Sequence, residues 1–267
     1  MKPEDKTILP HPIPGEHYSR SWSYAIPEFR EVLKHLRGTP LAQDDTHQLI
    51  NESHDKYVWH CKDGDFDFAY KTQKVTKYTR FLFNHSLPAR EWSNYQAIAQ
   101  MGIPTPTVLA VGDTRKCFLL LETFIVTSFL NNTHDGRIFM PSGNYREGHD
   151  ELRREFCMGN MEYLAIFHDN GWLHAAFHAR NLLFRELSDN HLELFWIDVA
   201  RARQVPESIR FDCAIRDLCT FFRDLQISEQ EIASYTAHYA ACRKNNSLSV
   251  EDWLHAMKQS PRWFCLS

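Results

Sequence analysis

Leu173-His174-Ala175-Ala176-Phe177-His178-Ala179-Arg180-Asn181 runs directly into a short apolar segment, Leu182 to Glu186. Turn residues Leu187-Ser188-Asp189-Asn190 follow, and then a second segment of alternating character from His191 to Ile197. Two such segments around a polar turn read as an antiparallel hairpin. The residue before the first strand, Asn181, and the residue after the second, Asp198, are then expected side by side. Opposed side chains on antiparallel strands stand about 5 Å apart, so an amide oxygen and a carboxylate converge at the open end of the hairpin. That donor pair suits a hard, oxygen-seeking cation such as Mg²⁺.

Upstream of this stretch, Glu151 to Asn170 reads as a long helix with Leu152, Phe156, Met161, Leu164, Ala165 and His168 inward, stopped by Asn170-Gly171. Further back, Tyr57 to Cys61 and Phe66 to Thr72 read as strands joined at Asp63-Gly64-Asp65, the second carrying Lys71. Ser86 caps a helix that runs to about Met101 before Gly102 and places Glu91 on one face with Tyr95 and Ile98. A carboxylate on an apolar face needs a partner, and Lys71 is the evident one. Val108 to Gly112 and Cys117 to Phe124 read as another hairpin, and Asn131 to His149 as a long polar insertion. Downstream, Ile209 to Leu225 reads helical, and two last helices open with capping boxes, Ser228 with Glu231 and Ser249 with Asp252.

Composition bounds the rest. The chain has 267 residues, an apolar fraction of 43% and a net charge of −4, which suits one two-lobed soluble domain and gives no electrostatic case for nucleic acid. Seven cysteines without C-x-x-C spacing argue against a disulfide framework and fit a reducing cytosol. A polar start with no long apolar run after it leads us to expect neither a signal peptide nor a spanning helix. Pro27 to Leu36 is amphipathic, with Ile26, Phe29, Val32, Leu33 and Leu36 on one face. It reads as a helix packed on the small lobe or, alternatively, as one lying on an anionic membrane surface. Lys71, Lys74, Lys77 and Arg80 form a basic stripe if that stretch is helical.

The pattern His174, Asn181, a hairpin and then Asp198 resembles the catalytic loop and metal-binding end of protein-kinase-like phosphotransferases. Trp196-Ile197-Asp198-Val199-Ala200-Arg201-Ala202-Arg203, Arg90-Glu91-Trp92 and Gly102-Ile103-Pro104-Thr105-Pro106 are most similar to the bacterial lipopolysaccharide core kinases, which phosphorylate heptose or Kdo. The resemblance implies an α+β, two-lobed fold with a small β-rich lobe over residues 1–122 and a mostly helical lobe over 123–267. It implies ATP and Mg²⁺ as cofactors and a lipopolysaccharide core sugar as acceptor, met in the cytoplasm at the inner face of the inner membrane. In that frame Lys71 grips the ATP phosphates, Glu91 holds Lys71, and Glu122 begins a hinge whose backbone reads adenine. Asn181 and Asp198 hold the metal, and Asp217 braces the catalytic loop.

One position departs from the pattern. Ala176 stands where the catalytic Asp belongs, so the group that orients the sugar hydroxyl and takes its proton is missing, an effect of about 10²- to 10⁴-fold. Ala176 is read in one of three ways: a natural pseudokinase, a substitution made to trap the protein, or a site where His174 or His178 has taken over. The stretch Asn51 to Asp55 also lacks the glycines of a phosphate-covering loop. His178 fits the loop of small-molecule antibiotic and choline phosphotransferases as well. A zinc site built from His168, His174 and His178 is disfavoured, because no Glu follows the first His as in H-E-x-x-H.

Overall fold

The computed structural model describes residues 21–38, 41–53, 55–75, 86–116, 119–140, 150–187, 191–244 and 247–261. The chain divides into two compact units, one of Met1–Ser93 with Thr107–Phe129, the other of Asn94–Pro106 with Leu130–Ser267.

The first unit is built on six antiparallel strands: β1 (Trp22–Ala25), β2 (His47–Ser53), β3 (Lys56–Asp63), β4 (Phe66–Lys74), β5 (Val108–Lys116) and β6 (Leu119–Ser128), in the order β1-β5-β6-β4-β3-β2. Alternation along β4 sorts its side chains between the two faces of the sheet. Phe68 and Tyr70 go to one face, where they are buried with Phe124 and Val126 of β6. Lys71, between Tyr70 and Thr72, goes to the other. Helix α1 (Arg30–Gly38) covers the first face with Leu33 and Leu36, and Phe29 just before it sets its ring edge-on against Phe66 and Phe68. Each such burial is worth about 1.5–3 kcal/mol. The apolar stripe of this helix is therefore covered by the sheet, and the membrane-surface reading of it has no free apolar face to stand on. Gly112 of β5 has no room for a side chain, since a Cβ there would lie 2.6 Å from Trp22 O and 2.7 Å from the Phe124 ring.

Helix α2 (Leu87–Gln100) starts as expected, with Ser86 Oγ accepting the Ala89 N–H at 3.4 Å. Its Trp92 stacks on Tyr24 of β1 at 5.0 Å between ring centroids. The expected basic stripe does not form as a helical face: Lys71 and Lys74 are strand residues three apart and fall on opposite faces. Lys77 and Arg80 lie outside the described residues.

The second unit carries helices α3 (Asp150–Asp169), α4 (Arg210–Leu225), α5 (Glu229–Cys242) and α6 (Val250–Gln259). Asp150 and Glu151 sit in the first turn of α3, where carboxylates favour the helix dipole, and Gly171 at φ +75° ends the run beyond it. Both expected capping boxes, Ser228 with Glu231 and Ser249 with Asp252, are present. Small strands complete the unit: β7 (His134–Asp135), β8 (Trp172–Leu173), β9 (Leu182–Glu186), β10 (Leu192–Trp196) and β11 (Arg203–Gln204). They are ordered β10-β9-β7 and β11-β8.

The centre of this unit is aromatic. Phe156, Phe167, Phe177, Phe184, Trp196, Phe221 and Phe222 are all below 2% exposed. Part of the stretch expected to be a loop insertion is in fact structured. Asp135 pairs with Leu183, Gly136–Phe139 forms a 3₁₀ turn, and Phe139 is buried against Phe156 and Phe184. Residues 141–149 of that stretch lie outside the described ones. Among the described residues no helix is long and apolar enough to cross a membrane.

Candidate active site

In the second unit the chain leaves β8 and turns through Ala175, whose φ is +63°. A left-handed conformation costs a residue with a Cβ about 1–2 kcal/mol, so something must hold it. Asp217, on α4 and fully buried, does so: its carboxylate accepts the His174 N–H at 2.7 Å and the Ala175 N–H at 3.0 Å. Buried His168 adds a third contact through Nε2 at 3.3 Å. The His178 N–H then donates to Ala176 O at 2.8 Å, a three-residue turn with Phe177 at its apex. Phe177 drops into the core against His174, Trp196 and Phe221.

A second carboxylate on α4 escaped the sequence reading. Asp224 accepts the Ala179 N–H at 2.7 Å and stands 3.4 Å from His178 Nδ1. Although burial pushes upward, His178 and the Ala179 amide hold this carboxyl below the ordinary Asp range. The signal was present as a repeated tripeptide, Arg216-Asp217-Leu218 and Arg223-Asp224-Leu225. Seven residues are two helical turns, so both acids share one face of α4.

Asn181 is 4% exposed, and its amide Nδ2 donates to Ala176 O at 2.9 Å. The hairpin forms over Leu182–Glu186 and Leu192–Trp196, as expected, but its register differs by one residue from a direct meeting of Asn181 and Asp198. Leu182 pairs with Trp196, and the Ile197 N–H donates to Asn181 O at 2.9 Å, so Asn181 faces Ile197 across the ladder. Asp198 comes one residue later, exposed and left-handed at φ +53°. Its N–H donates to Tyr95 Oη at 3.2 Å, and Asn94 Nδ2 donates to the carbonyls of Val199 at 2.7 Å and Ala202 at 2.8 Å. Asn94 and Tyr95 thus fix the backbone around Asp198, a role that the α2 pattern did not announce.

His174 is a scaffold residue in this arrangement. It is fully buried, neither ring nitrogen has a hydrogen-bond partner, and burial pushes its pKa down to about 4 against the pull of Asp217 and Asp198. A neutral imidazole packed among Phe167, Phe177 and Trp196 cannot touch a sugar hydroxyl. The expectation that it takes part in catalysis is therefore corrected.

In the first unit, Lys71 Nζ lies 3.1 and 3.4 Å from the two carboxylate oxygens of Glu91. Glu91 is 4% exposed and Lys71 is partly buried. The pairing inferred from the helix face is thus made. Glu122 falls elsewhere. Lys71 pairs with Ile125 in β6, and Glu122, three residues away, belongs to the opposite face with Phe124 and Val126. There its carboxylate is 3.6 Å from Arg37, whose guanidinium lies over the Phe124 ring. Strand β6 continues to Ser128 and the first unit to Phe129, so the expected hinge at Glu122 lies well inside a strand. The expected break after Gly112 is also absent. Strand β5 runs on to Lys116 and carries a buried ion pair, Asp113 with Arg115 at 3.3 Å.

A family model described as the lipopolysaccharide kinase (Kdo/WaaP) family matches residues 50–239. A search of curated proteins returned no match. A solved structure described as WaaP in complex with acyl carrier protein is 15% identical with a TM-score of 0.63, and the alignment covers 88% of this chain and 92% of that one. At that identity the likeness shows the fold: a β-rich N-terminal sheet followed by a helical part. Since 1428 solved chains match, the fold by itself selects no acceptor.

Proposed function

Because the chain belongs to the lipopolysaccharide kinase (Kdo/WaaP) family, we propose that it binds ATP with Mg²⁺ and is directed at a sugar hydroxyl, of heptose or Kdo, in the lipopolysaccharide inner core. The observation that carries this reading is the open end of the β9/β10 hairpin, where Asn181 O accepts the Ile197 N–H at 2.9 Å and an exposed Asp198 follows directly. With Nδ2 of Asn181 engaged by Ala176 O, the side-chain oxygen is the atom left for a ligand. An amide oxygen and a carboxylate are the donors that a hard cation takes, so the residues fit Mg²⁺. When bound there, the ion would neutralise charge on the phosphate oxygens.

The chain's own residues would do the rest by positioning. Lys71, oriented by Glu91, is the cation for the phosphates. Asp217 and Asp224 hold four positions of the loop in place, with contacts to the backbone N–H groups of His174, Ala175 and Ala179 and to the ring of His178. Ala176 supplies only its carbonyl to this frame, so no carboxylate orients the acceptor hydroxyl, and transfer is slow relative to binding. A second reading, a pseudokinase that binds nucleotide and acts by interaction, rests on that same alanine.

Transfer from γ-labelled ATP to purified inner-core lipopolysaccharide separates the two readings. Label appearing in the sugar, and lost with Asp198→Ala, supports the slow kinase. Binding of Mg²⁺ and ATP without any transfer to core acceptors supports the pseudokinase.

A further inference from the structure

Helix α3 packs along α5 in the second unit, and on their shared surface three side chains of metal-ligating type converge. Glu162 comes from α3. His238 and Cys242 come from α5, four residues apart and therefore on one face. His238 Nε2 is 3.0 Å from Glu162 Oε1 and 3.8 Å from Cys242 Sγ, and all three ligand atoms lie within 4.8 Å of one another. Among the described residues this is the one group of three or more such side chains close enough to share an ion.

We propose that Glu162, His238 and Cys242 form a zinc site that clips α3 to α5.

Three physical features point to this ion. Ligands about 2.0–2.3 Å from a tetrahedral Zn²⁺ are separated by about 3.3–3.8 Å along the edges of the tetrahedron, and the two distances at His238 bracket that range with its ring already central. The donor set of thiolate, imidazole and carboxylate is one that zinc accepts and that Mg²⁺ or Ca²⁺, seeking oxygens alone, does not. Cys242 is also the last residue of α5, where the helix presents its negative dipole end and favours a cation. The neighbouring cation does not oppose it: Arg243 turns away to Asp169, 2.5 Å from its Nε, and to Tyr239.

Glu162 is exposed and the other two are half-buried, so the fourth position faces water. Burial and the adjacent Glu162 keep the Cys242 thiol protonated in the absence of an ion, so binding would release that proton to solvent as the Zn–S bond forms. The clip would join positions in helices that are distant in the chain, and a ligand held only by the native state raises its stability.

Untagged, chelator-treated full-length protein titrated with Zn²⁺ against a chromophoric competitor should bind one equivalent tightly and melt at higher temperature. Co²⁺ in place of Zn²⁺ should give a thiolate-to-metal charge-transfer band in the near ultraviolet. Cys242→Ser should abolish the band, and Glu162→Gln and His238→Gln should each weaken Zn²⁺ binding at least about tenfold, the usual consequence of losing part of a metal's ligand environment. Glu162→Gln alters an exposed side chain, and circular dichroism identical to that of the parent protein would show that it folds. If the parent and all three variants bind Zn²⁺ equally, the ion is held by others of the 15 histidines and the proposal is overturned. A charge-transfer band that persists in Cys242→Ser overturns it as well.

Discussion

The side-chain amide of Asn181 donates to the main-chain carbonyl of Ala176 at 2.9 Å. The contact uses no atom of the residue 176 side chain, so a different side chain there leaves this hydrogen bond available. Ala176→Asp should therefore leave the fold intact and supply the absent carboxylate. The expected result is at least about a tenfold rise in phosphate transfer to inner-core lipopolysaccharide, a threshold set below the roughly 10²- to 10⁴-fold that a positioned acid or base contributes. The rate of label incorporation at saturating ATP reads this, and an unchanged rate would contradict the role given to this position.

Asp217 holds the left-handed turn at Ala175. Asp217→Ala leaves the His174 and Ala175 N–H groups and the His168 ring without their acceptor. A loss of about 2–4 kcal/mol in urea unfolding is predicted, since each stranded buried group costs about 1–3 kcal/mol. Ala175→Gly should move the other way by up to about 1 kcal/mol, because glycine adopts φ +63° without the Cβ penalty.

His174 makes stability depend on pH. Its pKa is lowered in the folded state to about 4 from the ordinary 6.5. Between those values the unfolded chain binds the proton and the folded chain does not, so stability rises with pH across this window. The contribution is fully present above pH 6.5 and is lost as pH falls towards 4, by about 1.4 kcal/mol per unit at most. His168, also lowered by burial, acts in the same direction. Melting temperature measured across this range should fall on acidification. In His174→Leu the fall should be shallower, and an identical slope would refute this origin.

Glu91 positions Lys71 from a site that is 4% exposed. Glu91→Gln keeps the shape of the side chain and removes its charge, so Lys71 Nζ is released from a partner at 3.1 Å. ATP affinity should weaken at least about tenfold, equal to about 1.4 kcal/mol, while circular dichroism stays unchanged. Equilibrium binding of a fluorescent ATP analogue reads this, and wild-type affinity would show that the pair is structural.

Some of this architecture was legible in the chain and some was not. The hairpin after Asn181, the α2 start at Ser86, α3 and both capping boxes follow from local chemistry: alternation, caps and turn residues. The Lys71–Glu91 pair followed from a carboxylate placed on an apolar helix face. What failed depended on register and long-range packing. The one-residue offset between Asn181 and Asp198 is set by the ladder pairing Leu182 with Trp196, which no local pattern fixes. The hinge at Glu122 is implied by the family resemblance alone, and β6 continues past it and places Glu122 against Arg37. The β1 strand, Trp22–Ala25, was missed because a four-residue segment carries too little periodicity. Asp224 was missed although its seven-residue spacing from Asp217 was in plain view.

The central claim is that Asn181 and Asp198 present an Mg²⁺ site for ATP. Thermal unfolding with and without both ligands tests it most directly. With ATP at about 100 times its Kd, native-state binding adds about 2.7 kcal/mol, and the melting temperature should rise by about 5 °C or more. The rise should require Mg²⁺ and should vanish in Asp198→Ala. No rise in the parent protein, or an equal rise in Asp198→Ala, would contradict the account.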